Sequence, residues 1–261
     1  MKEMPESHGL MRITSSWDDR NALDLKLADL LNKYGVKGTF YVQRKRNSRS
    51  LSDEEVKRIS AAGFEICAHS LIHRDLTTLS LAEAREEIRD SKAYLEDLLG
   101  KKVNLFCYPR GKYDESIVEL VKEAGYIGAR TVEAFTFHVP SELYSFGTTL
   151  QVFPFPFLFT DRGRIILHQN LLYPLFRAHR FLKEIRSPIK GYISFRSLAE
   201  VTLNHAERIR GVWHLWGHSW EIEQFKLWKS MEKILGSLKN RKAVYCTNEE
   251  LVRNFKTNSN S

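Results

Sequence analysis

Long hydrophobic runs are missing from this 261-residue chain: none approaches the ~20 consecutive apolar residues that a bilayer-spanning helix needs. The opening stretch, MKEMPESHGLMRITSSW, also lacks the ~7–15-residue apolar block of a secretory signal. A cytoplasmic location with no membrane span is therefore expected. Cysteine is scarce as well. Cys67, Cys107 and Cys246 are odd in number and far apart, which argues against a disulfide framework and a zinc finger and fits reduced thiols. Lys and Arg number 40 against 32 Asp and Glu, a net charge of +8, yet the only dense basic cluster is Arg44, Lys45, Arg46 and Arg49. No nucleic-acid-binding signature accompanies it, so no nucleic-acid partner is expected and the cluster reads as a solvated loop.

What is present suffices for a core, since 43% of the residues are hydrophobic and 11% aromatic. Short apolar runs alternate with amphipathic helical patterns. Ile13 to Trp17 reads as a strand, followed by a helix from Asn21 to Tyr34 with Leu23, Leu27, Leu30, Leu31 and Tyr34 on one face. Further strands are read at Gly38–Val42, Phe64–Ala68, Val103–Cys107 and Tyr126–Thr131. Between them, Ser52 with Glu55 and Ser80 with Glu83 form capping boxes, Asp114 opens a helix, and Gly63, Gly100 and Gly125 close helices. The rhythm weakens from about 132 to 210. There Phe153, Phe155, Phe157 and Phe159 alternate as an apolar strand face, and a helix is expected from Asn170 to Ile185. Strands at Tyr192–Phe195, Val212–Trp216 and Ala243–Cys246, a helix from Glu221 to Leu238 and a capping box at Thr247 and Glu250 complete the pattern. Strand–helix alternation calls for parallel strands covered on both faces. The expected fold is α/β, a distorted (β/α) barrel of about seven or eight parallel strands, in one domain over residues 1–261 with an irregular insertion at about 132–210.

In such folds functional residues gather at the carboxyl ends of the strands. Asp18 and Asp19 end the first strand, and His69 and His73 follow the third, so all four face one mouth. Two imidazoles four residues apart can take one ion from the same face of a helical turn, and a carboxylate at a neighbouring strand end adds to that reading. Paired carboxylates repel unless a cation lies between them, although an aspartate here also suits capping of the following helix. Near the end of the fourth strand, Tyr108-Pro109-Arg110-Gly111 shapes a turn able to aim a backbone N–H into the mouth. In Val212–His218, period-two alternation sets His214, Trp216 and His218 on one face, with His218 nearest the mouth. His8, His138, His168, His179 and His205 are assigned no role.

These residues resemble the polysaccharide deacetylase family, which shares the NodB homology domain and includes chitin, peptidoglycan and poly-N-acetylglucosamine deacetylases. Ser16-Trp17-Asp18-Asp19-Arg20 is similar to the family's T-F-D-D-G, and Gly38-Thr39-Phe40-Tyr41-Val42 to its second strand. His69-Ser70-Leu71-Ile72-His73 is similar to H-S/T-x-x-H, Phe106-Cys107-Tyr108-Pro109-Arg110-Gly111 to R-x-P-x-G, and Trp216-Gly217-His218 to L-x-H. The resemblance implies Asp19, His69 and His73 as ligands of a divalent metal, Asp18 as general base and His218 as general acid. It also implies an oxyanion and substrate-binding role for Arg110 (through its backbone N–H), Tyr108 and Trp216, the last standing where the family has a leucine lining the acetyl pocket. Zinc is the metal the family suggests, while the donor set also suits cobalt, nickel, manganese or iron.

The chain departs from the pattern at several places. Cys107 stands for the motif arginine, with Arg130 as a candidate substitute charge; Glu133 is a candidate acidic partner for His218; and Arg20 replaces a glycine in a way expected to narrow the cleft. The expected activity is metal-dependent removal of N-acetyl groups from an N-acetylated sugar or polysaccharide, releasing acetate. Hydrolysis of a non-sugar amide or cyclic imide, and a non-catalytic sugar-binding role, are the alternatives.

Overall fold

Short apolar runs followed by amphipathic segments leave each strand no cheaper way to bury its two faces than under crossover helices. A computed structural model describes residues 9–138, 142–154, 158–159, 165–166, 178–185 and 194–258. Its main sheet has eight strands: β1 (Met11–Asp18), β2 (Thr39–Val42), β3 (Glu65–Ala68), β4 (Leu105–Cys107), β5 (Gly128–Arg130), β6 (Leu150–Gln151), β9 (Val212–Gly217) and β10 (Ala243–Tyr245). Every pairing in it is parallel, in the order β5-β4-β3-β2-β1-β9-β6, with β10 against the first residues of β1. The segment entering β6 brings the sheet's edges together. Phe146 N–H donates to Ala129 O and Thr131 N–H to Phe146 O on the β5 side, while Thr149 N–H donates to His214 O on the β9 side. The α/β barrel expected from the sequence is thus the observed architecture. A two-residue antiparallel ribbon, β7 (Leu158–Phe159) with β8 (Ile165–Ile166), stands apart from it.

The helices are α1 (Asp24–Lys33), α2 (Asp53–Ala61), α3 (Leu81–Leu99), α4 (Glu115–Glu123), α5 (178–184), α6 (Phe195–Arg208), α7 (Ser219–Gln224), α8 (Trp228–Leu238) and α9 (Asn248–Asn258). Both capping boxes form at α2 and α3, Asp114 caps α4, and Thr247 and Glu250 bond reciprocally at the start of α9. No helix among the described residues is long and apolar enough to cross a membrane.

Four expectations need correction. Helix α1 begins at Asp24 rather than Asn21, because the Asn21 side chain accepts the Leu23 N–H at 3.0 Å and its backbone bridges to Ser50. Of the strand expected at Tyr192–Phe195, Tyr192 and Ile193 lie outside the described residues and Phe195 is helical: Ser194 accepts the Ser197 N–H, and the spacing of Phe195, Leu198, Ala199, Thr202, Leu203 and Ala206 gives α6 one buried face. The helix expected over Glu221–Leu238 is two helices, interrupted where Lys226 adopts a left-handed φ of 55°. Of the alternating phenylalanines, Phe153 packs edge-on against Phe225 with centroids 5.2 Å apart and forms no strand; Phe155, Phe157 and the Phe159 side chain lie outside the described residues. The expected helix over Asn170–Ile185 is described only from 178 on, as α5.

Candidate active site

The mouth of the barrel is formed where the chain leaves its strands abruptly. Asp19, Arg20, Ser70, His73 and Arg110 all have left-handed φ values, between 54° and 80°, a costly conformation for residues with a Cβ that tends to gather at functional sites. Arg110 sits in a tight turn that Gly111 completes: a Cβ there would meet Val132 Cγ2 at 2.3 Å. Arg20 does not narrow the cleft as expected. It turns away, fully buried, to donate to Leu51 O, Gln43 O, Tyr94 Oη and Asp53 Oδ1, and so anchors the two ends of the basic loop that follows β2.

His69 and His73 are not one turn apart on a helix, contrary to the sequence reading. They flank a loop whose Leu71 and Ile72 N–H groups both donate to Glu87 Oε2 at 3.0 Å and whose His73 N–H donates to Ser70 Oγ. The loop brings the two rings to a centroid distance of 4.6 Å. His73 Nε2 lies 3.6 Å and His69 Nε2 3.8 Å from Asp19 Oδ1. His69 Nδ1 is 2.9 Å from Cys107 O, an arrangement that keeps the proton on Nδ1 and leaves Nε2 as a lone-pair donor. Burial also holds this imidazole neutral, with its pKa lowered to about 4 despite the pull of Asp18. One carboxylate and two imidazoles with donor atoms gathered within 4.8 Å fit a divalent cation of zinc, cobalt, nickel or manganese character.

Asp18 stands beside this cluster, almost wholly buried. Its Oδ2 is tied to Arg130, which also contacts Cys107 Sγ at 2.9 Å and lies between the Tyr41 and Trp216 rings, 5.0 and 4.8 Å from their centroids. Burial would raise the Asp18 pKa, but Arg130 together with His69 and His218 outweighs it, so the carboxyl stays ionised below its ordinary range. Oδ1 takes no hydrogen bond from the described residues and is the free acceptor. The Cys107 thiol, pushed well above its usual pKa chiefly by burial, is neutral and leaves room for the guanidinium arriving from β5.

On the opposite side, His218 Nε2 is 3.6 Å from Asp19 Oδ2, which also accepts from Trp220 Nε1 at 3.2 Å. The acidic partner of His218 is Glu221, with Oε2 2.6 Å from Nδ1; Glu133, the candidate from the sequence, has no such contact. Burial opposes the charged imidazole, but the hydrogen bond to Glu221 and the charges of Asp18, Glu221 and Asp19 raise its pKa to about 9. An acidic residue three positions after a histidine at a helix start was the sequence signal for Glu221. His214, on the same strand face, is a core residue: it bonds Ser16 Oγ at 2.8 Å, and burial lowers its pKa to about 3. Tyr108 lines the site, and its hydroxyl donates to Tyr144 O at 2.9 Å. Trp216 lines the same cavity, in which Asp18, Asp19, His69, His73, Arg110 and His218 converge.

Residues 11–129 match the family model "Polysaccharide deacetylase". The chain is 32% identical over 109 residues to the peptidoglycan-N-acetylmuramic acid deacetylase PdaA of Bacillus subtilis (strain 168), a match covering 41% of this chain and 40% of that protein. The shared stretch thus spans about two fifths of that relative's length. Among solved structures, a Mycobacterium smegmatis protein presumed to be a polysaccharide deacetylase superposes with a TM-score of 0.70 at 14% identity, covering 98% of this chain and 94% of that one. A family 4 acetyl xylan esterase from Clostridium thermocellum, solved with a cobalt ion, gives 0.57 at 19% identity, covering 92% and 89%. At these identities the structural likeness concerns the fold.

Proposed function

We propose that the chain is a metal-dependent hydrolase that removes the acyl group from an N-acetylated sugar, working as one NodB-like unit. The observation that carries this reading is the meeting of Asp19, His69 and His73 beside an ionised, half-free Asp18 and a protonated His218. Asp19, His69 and His73 would hold the cation; bound there, a divalent metal supplies Lewis acidity to the amide carbonyl and lowers the pKa of water. Zinc is the family's suggestion, and the cobalt of the acetyl xylan esterase structure is compatible with the same donors.

Asp18 Oδ1 accepts the proton of the attacking water, while Arg130 keeps the other carboxylate oxygen fixed. The Arg110 N–H, in its left-handed turn, steadies the oxygen that gains negative charge. His218 then delivers its Nε2 proton to the departing nitrogen, because an amine is a poor leaving group as its anion, and Glu221, bonded to Nδ1, keeps the imidazole charged beforehand. The basic loop after β2 adds to the sugar reading: Lys45 and Arg49 line a cleft beside Asp19 and would draw in an anionic glycan. The test is acetate release from a panel of N-acetylated sugars by protein loaded with each candidate metal. Hydrolysis of at least one sugar amide, dependent on metal, is expected. Turnover confined to non-sugar amides or imides would overturn the assignment.

A further inference from the structure

The two carboxylate oxygens of Asp19 have different neighbours. Oδ1 is the oxygen nearer His73 Nε2 and His69 Nε2, at 3.6 and 3.8 Å. Oδ2 is the one nearer His218 Nε2, at 3.6 Å, and it accepts the indole N–H of Trp220 at 3.2 Å. Trp220 is itself held in place. On one side of it Ser219 Oγ donates to the buried Asp24 at 2.6 Å, on the other Glu221 Oε2 lies 2.6 Å from His218 Nδ1, and Ile222 is fully buried, so the first turn of α7 is fastened around the indole. The Trp220 ring lies against that of His218, with centroids 5.3 Å apart. Three consecutive side chains thus reach Asp24, Asp19 and His218.

An indole is a donor only and carries no charge. A lysine or arginine in its place would neutralise Asp19 and repel a cation, and a histidine would compete as a ligand. Without a donor there, Oδ2 has two other uses, and both harm the site. It can draw His218 into a full ion pair, tying up the Nε2 proton that the leaving nitrogen needs. It can also swing toward the ion and crowd the positions that water and substrate must take. We propose that Trp220 is a positioning residue of the metal site, whose N–H holds Asp19 Oδ2 aside so that Oδ1 alone faces the cation with His69 and His73. This rests on the metal-hydrolase reading above, but it concerns binding of the ion and can be tested without turnover.

The test is the zinc affinity of the full chain, measured by competition with a chelating dye. Trp220→Phe keeps a ring and loses the N–H; replacing Trp220 by benzothienylalanine, which has the shape of tryptophan without the N–H, serves if the first variant does not fold. Either is expected to bind zinc about 10- to 10²-fold more weakly than the wild type, the scale on which groups bonded to metal ligands act. Ile222→Val, which loosens the same helix and leaves the N–H in place, should not change the affinity. In the cobalt-loaded protein the visible bands should weaken in the Trp220 variants, because a carboxylate that closes on the ion with both oxygens raises its coordination number. Unchanged zinc affinity or unchanged cobalt bands in those variants would overturn the inference, as would an equal loss of affinity in Ile222→Val. A wild-type chain that binds neither ion would bring down the metal reading too, and the wild-type titration tells the two failures apart.

Discussion

The two halves of the barrel contribute to the site in different ways. Residues 11–129, the stretch that matches the family, supply Asp18, Asp19, His69, His73 and Arg110 from strand ends and from turns held by buried partners such as Glu87. The later half supplies Arg130, Trp216, His218 and Glu221, together with the apolar wall. The two charges supplied by the later half do not come from the positions the motifs suggested: the guanidinium on Asp18 comes from β5 rather than from the Cys107 position on β4, and the carboxylate on His218 comes from α7 rather than from Glu133. A buried site thus constrains where a charge sits more tightly than which strand delivers it, because an unpaired buried charge is costly from any direction.

The largest effects should follow from the two proton carriers, one from each half. Asp18→Asn and His218→Ala are each expected to lower turnover about 10²-fold or more while metal content stays unchanged, read by steady-state kinetics beside metal analysis. Near-normal turnover in either variant would remove that residue from its role. Relocation of the guanidinium makes a sharper test. Arg130→Met should cost about 10- to 10²-fold in kcat, the scale of a charge-assisted hydrogen bond, and adding Cys107→Arg in that background should recover part of the loss. Failure of the second change to restore any activity, in a folded double variant, would mean that β5 and β4 are not interchangeable sources of that charge.

Smaller effects are expected from the surroundings. In the basic loop, Arg46 lies 3.8 Å from Asp53 and Arg44 stacks over Tyr94, whereas Lys45 and Arg49 line the cleft beside Asp19. Changing Lys45 and Arg49 to Gln should lower kcat/KM for an anionic sugar a few-fold at low salt and flatten its salt dependence, since the screening length is only ~8 Å at physiological ionic strength. Identical salt profiles would return the loop to the solvated role first read from the sequence.

Beneath the mouth, Asp24 is buried and accepts from Ser219 Oγ at 2.6 Å. Burial raises its pKa to about 8, although the Ser219 hydrogen bond opposes the rise. The folded state therefore binds a proton that the unfolded chain, with a carboxyl pKa of about 3.9, releases earlier. The stability contributed by the protonated carboxyl is complete below pH about 4 and is lost as pH rises toward about 8. Asp24→Asn should make Tm fall less between those values; an unchanged slope would show that Asp24 is ionised in the folded protein.

The sequence disclosed the barrel because each strand was followed by a helix with its own start and stop chemistry, as at Ser52–Glu55, Ser80–Glu83 and Asp114. It pointed to the meeting of Asp19, His69 and His73, the proposed ligands, because they follow strand ends. What it hid depended on packing. The loop between His69 and His73 looked like a helical turn because nothing local announces that Glu87, sixteen residues beyond Leu71, will take its N–H groups. Helix α6 was missed because its buried face became periodic only from Phe195 on, within a stretch rich in aromatics and prolines. Glu221 reaches His218 because α7 starts at Ser219, a start that the apolar pattern from Glu221 on does not mark.

Metal analysis of protein purified without chelators, set beside the same measurement on His69→Ala and His73→Ala, tests the account at its centre. About one divalent ion per chain is expected in the wild type and none in either variant, since each removes one of the three proposed donors. Equal metal content in all three proteins, or full amide hydrolysis by metal-stripped wild type, would contradict it.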